Sequence, residues 1–508
     1  MQRLVFNKST QCGVFSATIG RLRKSASLPI SFVRSMQLTP DSINPKVLEA
    51  QYAVRGALVL RAMQHERALQ QKQTLPFNEI LYCNIGNPHQ LKQKPITFFR
   101  QVLALTDYPD LLDMQGCSEV FPADAIARAK DFHKNTPGGT GAYSESQGLR
   151  HVRENVAKFI AKRDGVTAYA DDIFLTDGAS QGVHISIMCL VKNELDGIMI
   201  PIPQYPLYTA TISLNGGRAV GYYLDESQGW TLDVSELDRA LREARNQGTN
   251  VRALAVINPG NPTGQCLTEA NIRQVVEFCE RNNLVILADE VYQANVYGDV
   301  PFTSFRKVVT HMKSNVELIS YHSVSKGMIG ECGRRGGYME LINIDPVVVE
   351  QIYKLFSISL CSNIAGQIIV DLMVNPPAKG DPSHDQYERE MKDLFESLKR
   401  RSQKLHAALN SMKNITCTEI GGAMYAFPSI HLPPSAVQAA KEAGMTPDTF
   451  YAVELLDATG ICVVPGSGFR QKQGSFHFRT TFLPSESKMD DVIDKLRKFN
   501  QSFMDKYS

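Results

Sequence analysis

The sequence predicts an α/β fold: a large domain with a mostly parallel sheet flanked by helices, and a smaller α/β domain. The first observation is a series of five short, almost wholly apolar segments between residues 173 and 320. The second is that segments of helical character alternate with them, which favours parallel strands joined by crossover helices. The third is a turn-rich stretch at 375–387, followed by a long charged segment and further short apolar segments.

The five apolar segments are predicted to be strands that helices cover on both faces, because their apolar character is nearly continuous. Each is followed directly by polar or turn-forming residues, which therefore gather at the carboxyl edge of the sheet, where such folds bind ligands. The predicted strands are 173–176, 197–200, 254–257, 284–288 and 317–320.

The remaining elements divide the chain into four parts. We predict long helices at 44–73 and 388–412, and short strands around 424–427, 461–464 and 476–480. The predicted parts are a leader at 1–40, an N-terminal helix and arm with part of the small domain at 41–115, the large cofactor-binding domain at 116–374, and the C-terminal small domain at 375–508.

Composition argues against several classes of protein. The 54 basic and 52 acidic residues leave a formal charge of only +2, so we expect no nucleic-acid surface. No apolar run is long enough for a transmembrane helix, so no membrane association is expected. The ten cysteines form no CxxC pair and no histidine cluster stands beside them, which argues against a metal site or a disulfide framework.

The first 40 residues differ from the rest of the chain. They contain six Lys or Arg residues and no acidic residue, and they lack the apolar core of a secretory signal. This composition is typical of a mitochondrial transit peptide, so we expect the protein in the mitochondrial matrix. Translation from Met36 would give a leaderless form, which we expect in the cytosol.

Lys326 is the candidate for covalent chemistry. It follows the last predicted strand, among small hydroxyl residues and a glycine, in the sequence HSVSKG. Poor solvation at such a position favours the neutral amine, which is the form that condenses with an aldehyde to a Schiff base.

Two segments predict an anion site close to this lysine. Arg335 lies nine residues after Lys326, and a guanidinium there can bind a phosphate through two hydrogen bonds, with the Ser323 and Ser325 hydroxyls as further donors. The segment TDGASQG at 176–182 joins a strand to a helix, so its free N–H groups and the Ser180 hydroxyl can bind the same anion. An ordinary helix cap is the alternative for this second segment.

Four further side chains follow predicted strands. Asp289 ends a strand, where a carboxylate is costly unless it has a partner such as a protonated pyridine nitrogen. Tyr292 and Asn261 can donate to a phenolic oxygen on such a ring, and Tyr205 can stack on it. The alternative for Asn261 is a purely structural Pro/Gly turn.

The ordered motifs DGAS, PIPQYPLY, NPGNPTG, ADEVYQ, HSVSKG and RRGGY resemble those of the fold-type I aminotransferases, which use pyridoxal 5'-phosphate (PLP). Within that family, the segments SKGMIGECGRRGGYMEL, INPGNPTGQCL, QYAVRG and PITFFRQVLAL are similar to alanine aminotransferases. The resemblance runs from about residue 40 to the C-terminus.

The resemblance implies roles at matching positions. Lys326 would form the Schiff base and move the substrate α-proton, and Asp289 would pair with the ring nitrogen. Gly86 would lie over the substrate, Arg479 would bind its α-carboxylate, and Tyr143 would reach across a homodimer interface. The implied cofactor-binding residues are Ala179, Ser180, Tyr205, Asn261, Asp289, Tyr292, Ser323, Lys326 and Arg335, and Gly86, Tyr143, Asn261 and Arg479 would bind the substrate.

The implied reaction is a ping-pong transfer of the amino group of L-alanine to 2-oxoglutarate, with small amino acids and 2-oxo acids as partners. The alternative is another aminotransferase of this fold, such as glutamate:glyoxylate aminotransferase. An eliminating or cyclising enzyme, or a cofactor-binding regulator, is a more distant alternative. The sequence does not identify the residue that meets the second carboxylate of 2-oxoglutarate, although Arg55 is a candidate. Arg334, the residue before Arg335, is also basic, and this departs from the family motif. Arg335 is the predicted phosphate ligand because the Gly-Gly-Tyr of the motif follows it.

Overall fold

The computed structural model describes residues 38–52 and 56–508. The predicted leader, apart from its last residues, and both Met36 and Arg55 lie outside these residues. The chain separates into two compact units, 1–44 and 45–508. In the described part of the first unit, Thr39–Ile43 forms a turn that is closed by a hydrogen bond from Ile43 N to Thr39 O at 2.9 Å.

The second unit is built around a seven-stranded sheet with the order β2-β8-β7-β6-β5-β3-β4. Six strands are parallel, and β8 runs antiparallel to both of its neighbours. Its strands are β2 (Ile173–Thr176), β3 (Asp196–Ile202), β4 (Arg218–Tyr223), β5 (Asn250–Ile257), β6 (Val285–Asp289), β7 (Leu318–Ser323) and β8 (Gly337–Ile342). The prediction of a mostly parallel sheet in an α/β fold is confirmed.

The short strands lie outside this sheet and pair with one another in small sheets of two or three strands. They are β1 (Leu81–Tyr82), β9 (Ile415–Thr416), β10 (Tyr425–Ala426), β11 (Ser429–Ile430), β12 (Ile461–Cys462), β13 (Val464–Pro465) and β14 (Phe478–Thr481). Because β1 pairs with β12 in parallel, a segment from the N-terminal part of the unit joins the C-terminal part.

Helices pack against the large sheet and around the small sheets of the C-terminal region. They are α1 (Pro45–Glu49), α2 (Ala57–Gln70), α3 (Thr97–Asp107), α4 (Cys117–Val120), α5 (Ala123–Asn135), α6 (Arg150–Asp164), α7 (Ala179–Leu190), α8 (Pro206–Leu214), α9 (Val234–Asn246), α10 (Glu269–Asn282), α11 (Phe305–Met312), α12 (Pro346–Ile358), α13 (Ile364–Val374), α14 (His384–Asn410), α15 (Pro434–Glu442), α16 (Pro447–Thr459) and α17 (Glu486–Lys506).

Three details differ from the sequence prediction. The single helix expected at 44–73 is two helices, α1 and α2, and α2 begins after Gly56, a poor helix former with extended backbone. The linker expected to reach 387 ends earlier, since α14 begins at His384. The edge strand β4 was not predicted, because RAVGYY mixes charged, glycine and aromatic residues on a strand that is only half-buried.

Apolar side chains form separate cores on and beside the sheet. One core joins α2 and β1 to α14, α16 and α17, and the others pack against the faces of the large sheet. The predicted domain boundaries at 115/116 and 374/375 stay a prediction. Within the described residues, no helix combines the length and the apolar character needed to cross a bilayer.

Candidate active site

Lys326 lies just beyond the carboxyl end of β7, in the turn that the sequence predicted. Its Nζ donates to the main-chain oxygen of Gly86 at 2.8 Å, and it lies 5.8 Å from the centre of the Tyr292 ring. Among the described residues, no carboxylate forms an ion pair with it. The amine is therefore held by a neutral carbonyl and is free of a fixed counter-charge.

Arg335 lies at the other end of the site and faces the start of α7. Its guanidinium donates to the Asp177 main-chain oxygen at 2.9 Å and lies 3.3 Å from the Ser180 hydroxyl. It also donates to the Cys332 main-chain oxygen at 3.0 Å. None of these partners carries a negative charge, so they leave the positive charge of the guanidinium available to bind an anion.

The turn before α7 brings its backbone close to this guanidinium. Gly178 has φ +79°, and a Cβ atom at this position would lie 2.3 Å from Arg335 Nη2. Only glycine suits both the left-handed backbone and the close approach. No side chain caps α7, so the N–H groups at Ala179 and Ser180 are directed to the same region as Arg335.

The hydroxyl nearest to Arg335 in this loop belongs to Ser325, at 3.4 Å from Nη1. Ser323, which was predicted to bind phosphate, is buried, and its hydroxyl accepts from the Ser325 N–H at 3.2 Å. The structure thus brings Ser180, Ser325 and Arg335 together, whereas the role of Ser323 stays a prediction. Arg334 makes no side-chain hydrogen bond or ion pair that competes with this arrangement among the described contacts.

Asp289 ends β6 inside the protein and is only 4% exposed. Burial raises the pKa of its carboxyl to about 6, although the Val291 N–H, the Tyr208 hydroxyl and the charge of Lys326 act in the opposite direction. The Tyr208 hydroxyl donates to Oδ2 at 3.2 Å. A buried carboxylate with so few donors is a strong acceptor for a further cationic N–H.

Arg479 lies on β14 and is 1% exposed, yet it forms no ion pair with any carboxylate among the described residues. Nη1 donates to Asn261 Oδ1 at 3.0 Å, Nη2 donates to the Asn84 main-chain oxygen, and Nε has no partner. A buried guanidinium without a counter-ion is costly. Its surroundings therefore suit an anionic ligand.

Tyr425 contacts both Arg479 and Tyr292. The sequence motifs did not predict a role for it. The Arg479 guanidinium lies 4.1 Å from the centre of its ring, and its hydroxyl accepts from the Tyr292 hydroxyl at 3.3 Å. Burial raises the pKa of Tyr292 far above its usual value, so this hydroxyl keeps its proton. Gly86 borders the same space, since a Cβ atom there would lie 2.2 Å from the Tyr425 hydroxyl.

Tyr205 and Tyr143 make no hydrogen bond to Lys326, Arg335 or Arg479 among the described residues. Tyr205 precedes α8, and its hydroxyl lies 2.9 Å from that of Tyr52. Tyr143 is 78% exposed, at a surface next to Ser144, whose hydroxyl accepts from Gln367 at 3.1 Å. The stacking role of Tyr205 and the intersubunit role of Tyr143 stay predictions.

Sequence analysis missed Tyr208, Tyr425 and the backbone oxygen of Asn84. Tyr208 carried a weak signal, because it lies three residues after Tyr205 and therefore on the same face at the start of α8. Tyr425 and Asn84 carried none, since short strands far apart in the chain bring them to Arg479.

Comparison with known proteins agrees with this geometry. The family described as aminotransferase class I and II matches residues 111–496. A protein from Dictyostelium discoideum, named a probable mitochondrial alanine aminotransferase, is 54% identical over 480 residues, covering 92% of this chain and 90% of that protein. Glutamate–glyoxylate aminotransferase 1 from Arabidopsis thaliana is also 54% identical, over 472 residues, covering 92% and 96%.

Solved structures share the fold. The structure of an alanine aminotransferase from Pyrococcus furiosus superposes with a TM-score of 0.72 at 23% identity, covering 90% of this chain and 99% of that one. At that identity the likeness supports the fold alone.

Proposed function

This chain belongs to the class I and II aminotransferases, a PLP-dependent family, and we propose that it transfers the amino group of L-alanine to 2-oxoglutarate, giving pyruvate and L-glutamate. The observation that carries the proposal is the buried Arg479, which has no counter-ion among the described residues and packs on Tyr425, whose hydroxyl borders Gly86. Every amino and oxo acid in this exchange has an α-carboxylate that one such guanidinium can bind.

The residues at the carboxyl edge of the sheet fit PLP. Arg335, the Ser180 and Ser325 hydroxyls and the start of α7 would hold the phosphate, because they present donors without a charged acceptor. Asp289 would hold the protonated ring nitrogen. Asn261 and Tyr292 would hold the phenolic oxygen, with Tyr205 against the ring. When bound, PLP supplies an aldehyde carbon that carries the amino group and a ring that takes up an electron pair.

Lys326 is the base in this proposal. Its neutral Nζ would take the α-proton of the amino acid and would deliver the same proton to the carbon that carried the aldehyde. The main-chain oxygen of Gly86, 2.8 Å from Nζ, keeps the amine in place. Asp289 stays ionised at neutral pH, because the pKa of about 6 lies below that pH. Arg479 holds the α-carboxylate in both half-reactions, so one site serves both substrates in turn.

A second candidate activity is glutamate:glyoxylate transamination. It is favoured by the relative from Arabidopsis thaliana, which is as identical to this chain as the relative named for alanine. The two activities share the α-carboxylate contact and differ in the oxo acid. The residue that meets the second carboxylate of 2-oxoglutarate is not assigned, and Arg55 stays a candidate outside the described residues.

A substrate panel tests the proposal. L-Alanine with 2-oxoglutarate should give equal amounts of pyruvate and glutamate, and Lys326→Ala should abolish this turnover. Activity with glutamate and glyoxylate alone, and none with alanine and 2-oxoglutarate, would contradict the alanine assignment and support the second candidate.

A homodimer is proposed from the exposure of Tyr143, at 78%. In this arrangement each Tyr143 completes the phosphate site of the other subunit. Mixing subunits that carry Lys326→Ala with subunits that carry Tyr143→Phe should restore activity above that of either variant. No gain in mixed dimers would refute a role across the interface.

A mitochondrial location is proposed from the acid-free leader and from the relative that is named mitochondrial. Residues 1–40 fused to a fluorescent protein should direct it to mitochondria, whereas a product that begins at Met36 should stay in the cytosol. Cytosolic fluorescence from the first fusion would refute the proposal.

A further inference from the structure

Tyr425 is a buried tyrosine at the centre of the site. It lies on β10, is 3% exposed and pairs with Thr481 of β14, two residues after Arg479 on that strand. Its ring and its hydroxyl make contacts with different groups of the site. The two kinds of contact can therefore be separated by substitution.

The ring of Tyr425 holds the guanidinium that binds the carboxylate. The Arg479 guanidinium carbon lies 4.1 Å from the centre of this ring and 4.8 Å from the centre of the Phe469 ring. Cation–π contacts of this kind stabilise a desolvated guanidinium and limit its orientation. A phenylalanine ring at position 425 would preserve this contact.

The hydroxyl of Tyr425 borders the space that holds the lysine amine. A Cβ atom on Gly86 would lie 2.2 Å from this hydroxyl and 3.1 Å from Lys326 Nζ. The hydroxyl also accepts from Tyr292 at 3.3 Å. The hydroxyl and the amine therefore both lie close to the position that a side chain at residue 86 would occupy.

The electrostatics agree with this geometry. Burial raises the pKa of the Tyr425 hydroxyl, but the charges of Lys326 and Arg479 and the hydrogen bond from Tyr292 lower it by more, so that it lies below the usual value.

We propose that Tyr425 is a positioning residue for the transamination: its ring orients Arg479 toward the substrate carboxylate, and its hydroxyl restricts the position of the Lys326 amine. The same hydroxyl restricts residue 86 to glycine. The inference rests on the proposed function only in taking Lys326 as the group that moves the proton.

Kinetic measurements on two variants distinguish the effect of the Tyr425 hydroxyl from that of its ring. Tyr425→Phe should lower kcat about tenfold, the loss expected for one hydrogen bond in the rate-determining state, with little change in KM for either substrate. Tyr425→Leu should in addition raise KM for both substrates, since the contact with Arg479 is lost. Tyr451→Phe is the matched control, because it removes a buried hydroxyl that donates to Asn500 Oδ1 at 3.0 Å in the C-terminal core.

A second test uses the space at Gly86. Gly86→Ala places a methyl group against the Tyr425 hydroxyl, and kcat/KM should fall about 100-fold or more. Removing that hydroxyl in the double variant Gly86→Ala/Tyr425→Phe should raise kcat/KM about fivefold or more above that of Gly86→Ala. A double variant that is no better than Gly86→Ala would overturn the proposed contact.

A third test needs neither cofactor nor turnover. The rate at which a trace of acetic anhydride acetylates Lys326 in the apoenzyme, measured by mass spectrometry at one fixed pH, reports how firmly the amine is held. In Tyr425→Phe this rate should rise about threefold or more, because the hydroxyl that borders the amine is gone, and it should not change in Tyr451→Phe. An unchanged rate in Tyr425→Phe would overturn the positioning role of the hydroxyl.

Failure of the proposed function and failure of the role of Tyr425 give different results. If alanine and 2-oxoglutarate are not substrates, the kinetic panel fails while the labelling of Lys326 still tests Tyr425. If Tyr425 has no positioning role, the wild-type enzyme transaminates as proposed and Lys326 is labelled at the same rate in the wild type and in Tyr425→Phe.

Discussion

The guanidinium of Arg479 donates to Asn261 Oδ1 at 3.0 Å, across 218 positions of sequence. Asn261 is only 7% exposed and Arg479 1%, so both partners of this hydrogen bond are buried. The contact connects the proposed carboxylate site on β14 with the proposed cofactor site after β5. Substrate binding and cofactor orientation are therefore expected to depend on each other.

Arg479→Lys should weaken both substrates. A lysine keeps the charge but loses the two-pronged geometry and the contact with Asn261, so KM for L-alanine and for 2-oxoglutarate should each rise about 100-fold, equivalent to ~3 kcal/mol. Steady-state kinetics of both half-reactions measure this, with the exposed Arg470→Lys as control. A rise for only one of the two substrates would contradict a shared α-carboxylate site.

Adjacent arginines allow a matched test of the phosphate site. Arg335→Lys should weaken PLP binding to the apoenzyme about tenfold or more, because it removes donors that face the start of α7. Arg334→Lys, one residue earlier, should leave this Kd unchanged. Titration of apoenzyme with PLP, followed by absorbance, gives both values. Equal losses in the two variants would mean that general positive charge, and not the geometry at Arg335, binds the phosphate.

The ionisation of Asp289 should set a lower pH limit for binding the cofactor ring. Burial raises the pKa of this carboxyl from 3.8 to about 6, so the anion is present above pH 6 and is lost as the pH falls below it. Affinity for pyridoxal, which lacks the phosphate, should therefore fall about tenfold per unit below pH 6. The decline should be absent in Asp289→Asn. Tyr208→Phe removes a donor to the carboxylate and should move the decline to higher pH. A decline of the same size in Asp289→Asn would assign it to another group.

Glu290 offers a test of stability. It is 2% exposed, and burial raises the pKa of its carboxyl from 4.5 to about 8, against the charge of Arg163 and the Phe305 N–H. A raised carboxyl pKa means that the folded state binds the proton more tightly than the unfolded state does. The wild-type protein therefore loses stability as the pH rises from about 4.5 to about 8.

Glu290→Gln preserves an acceptor for the Phe305 N–H, which lies 2.8 Å away, and it cannot ionise. Its advantage in Tm over the wild type should be near zero at pH 4.5 and grow to about 2–5 °C by pH 8.5. Calorimetry of the apoenzyme across this range measures the difference, and the exposed Glu277→Gln supplies the control. An advantage that is the same at every pH would exclude the ionisation of Glu290 as its cause.

The site residues that follow strands of the large sheet could be predicted from the sequence. Those that lie in short segments elsewhere in the chain, such as Tyr425 and Asn84, could not. Lys326, Asp289 and Arg335 could be named in advance, because apolar strands predict a parallel sheet and the carboxyl ends of its strands meet at one edge. Ser325 was only one of two serines that the sequence offered as donors. The choice between Ser323 and Ser325 depends on which hydroxyl the loop turns toward Arg335, and pattern alone does not specify that.

The sequence by itself determined the alternation of strands and helices, the sheet edge and the ordered motifs, since local periodicity and turn chemistry encode these features. Only the tertiary structure decided that Arg479 is buried without a counter-ion, that Tyr425 lies between it and Lys326, and that Gly86 carries the acceptor for the amine. These contacts join short strands and loops that lie 54 to 240 positions apart in the chain. Long-range packing fixes their positions, and no local pattern in the chain specifies which of them meet.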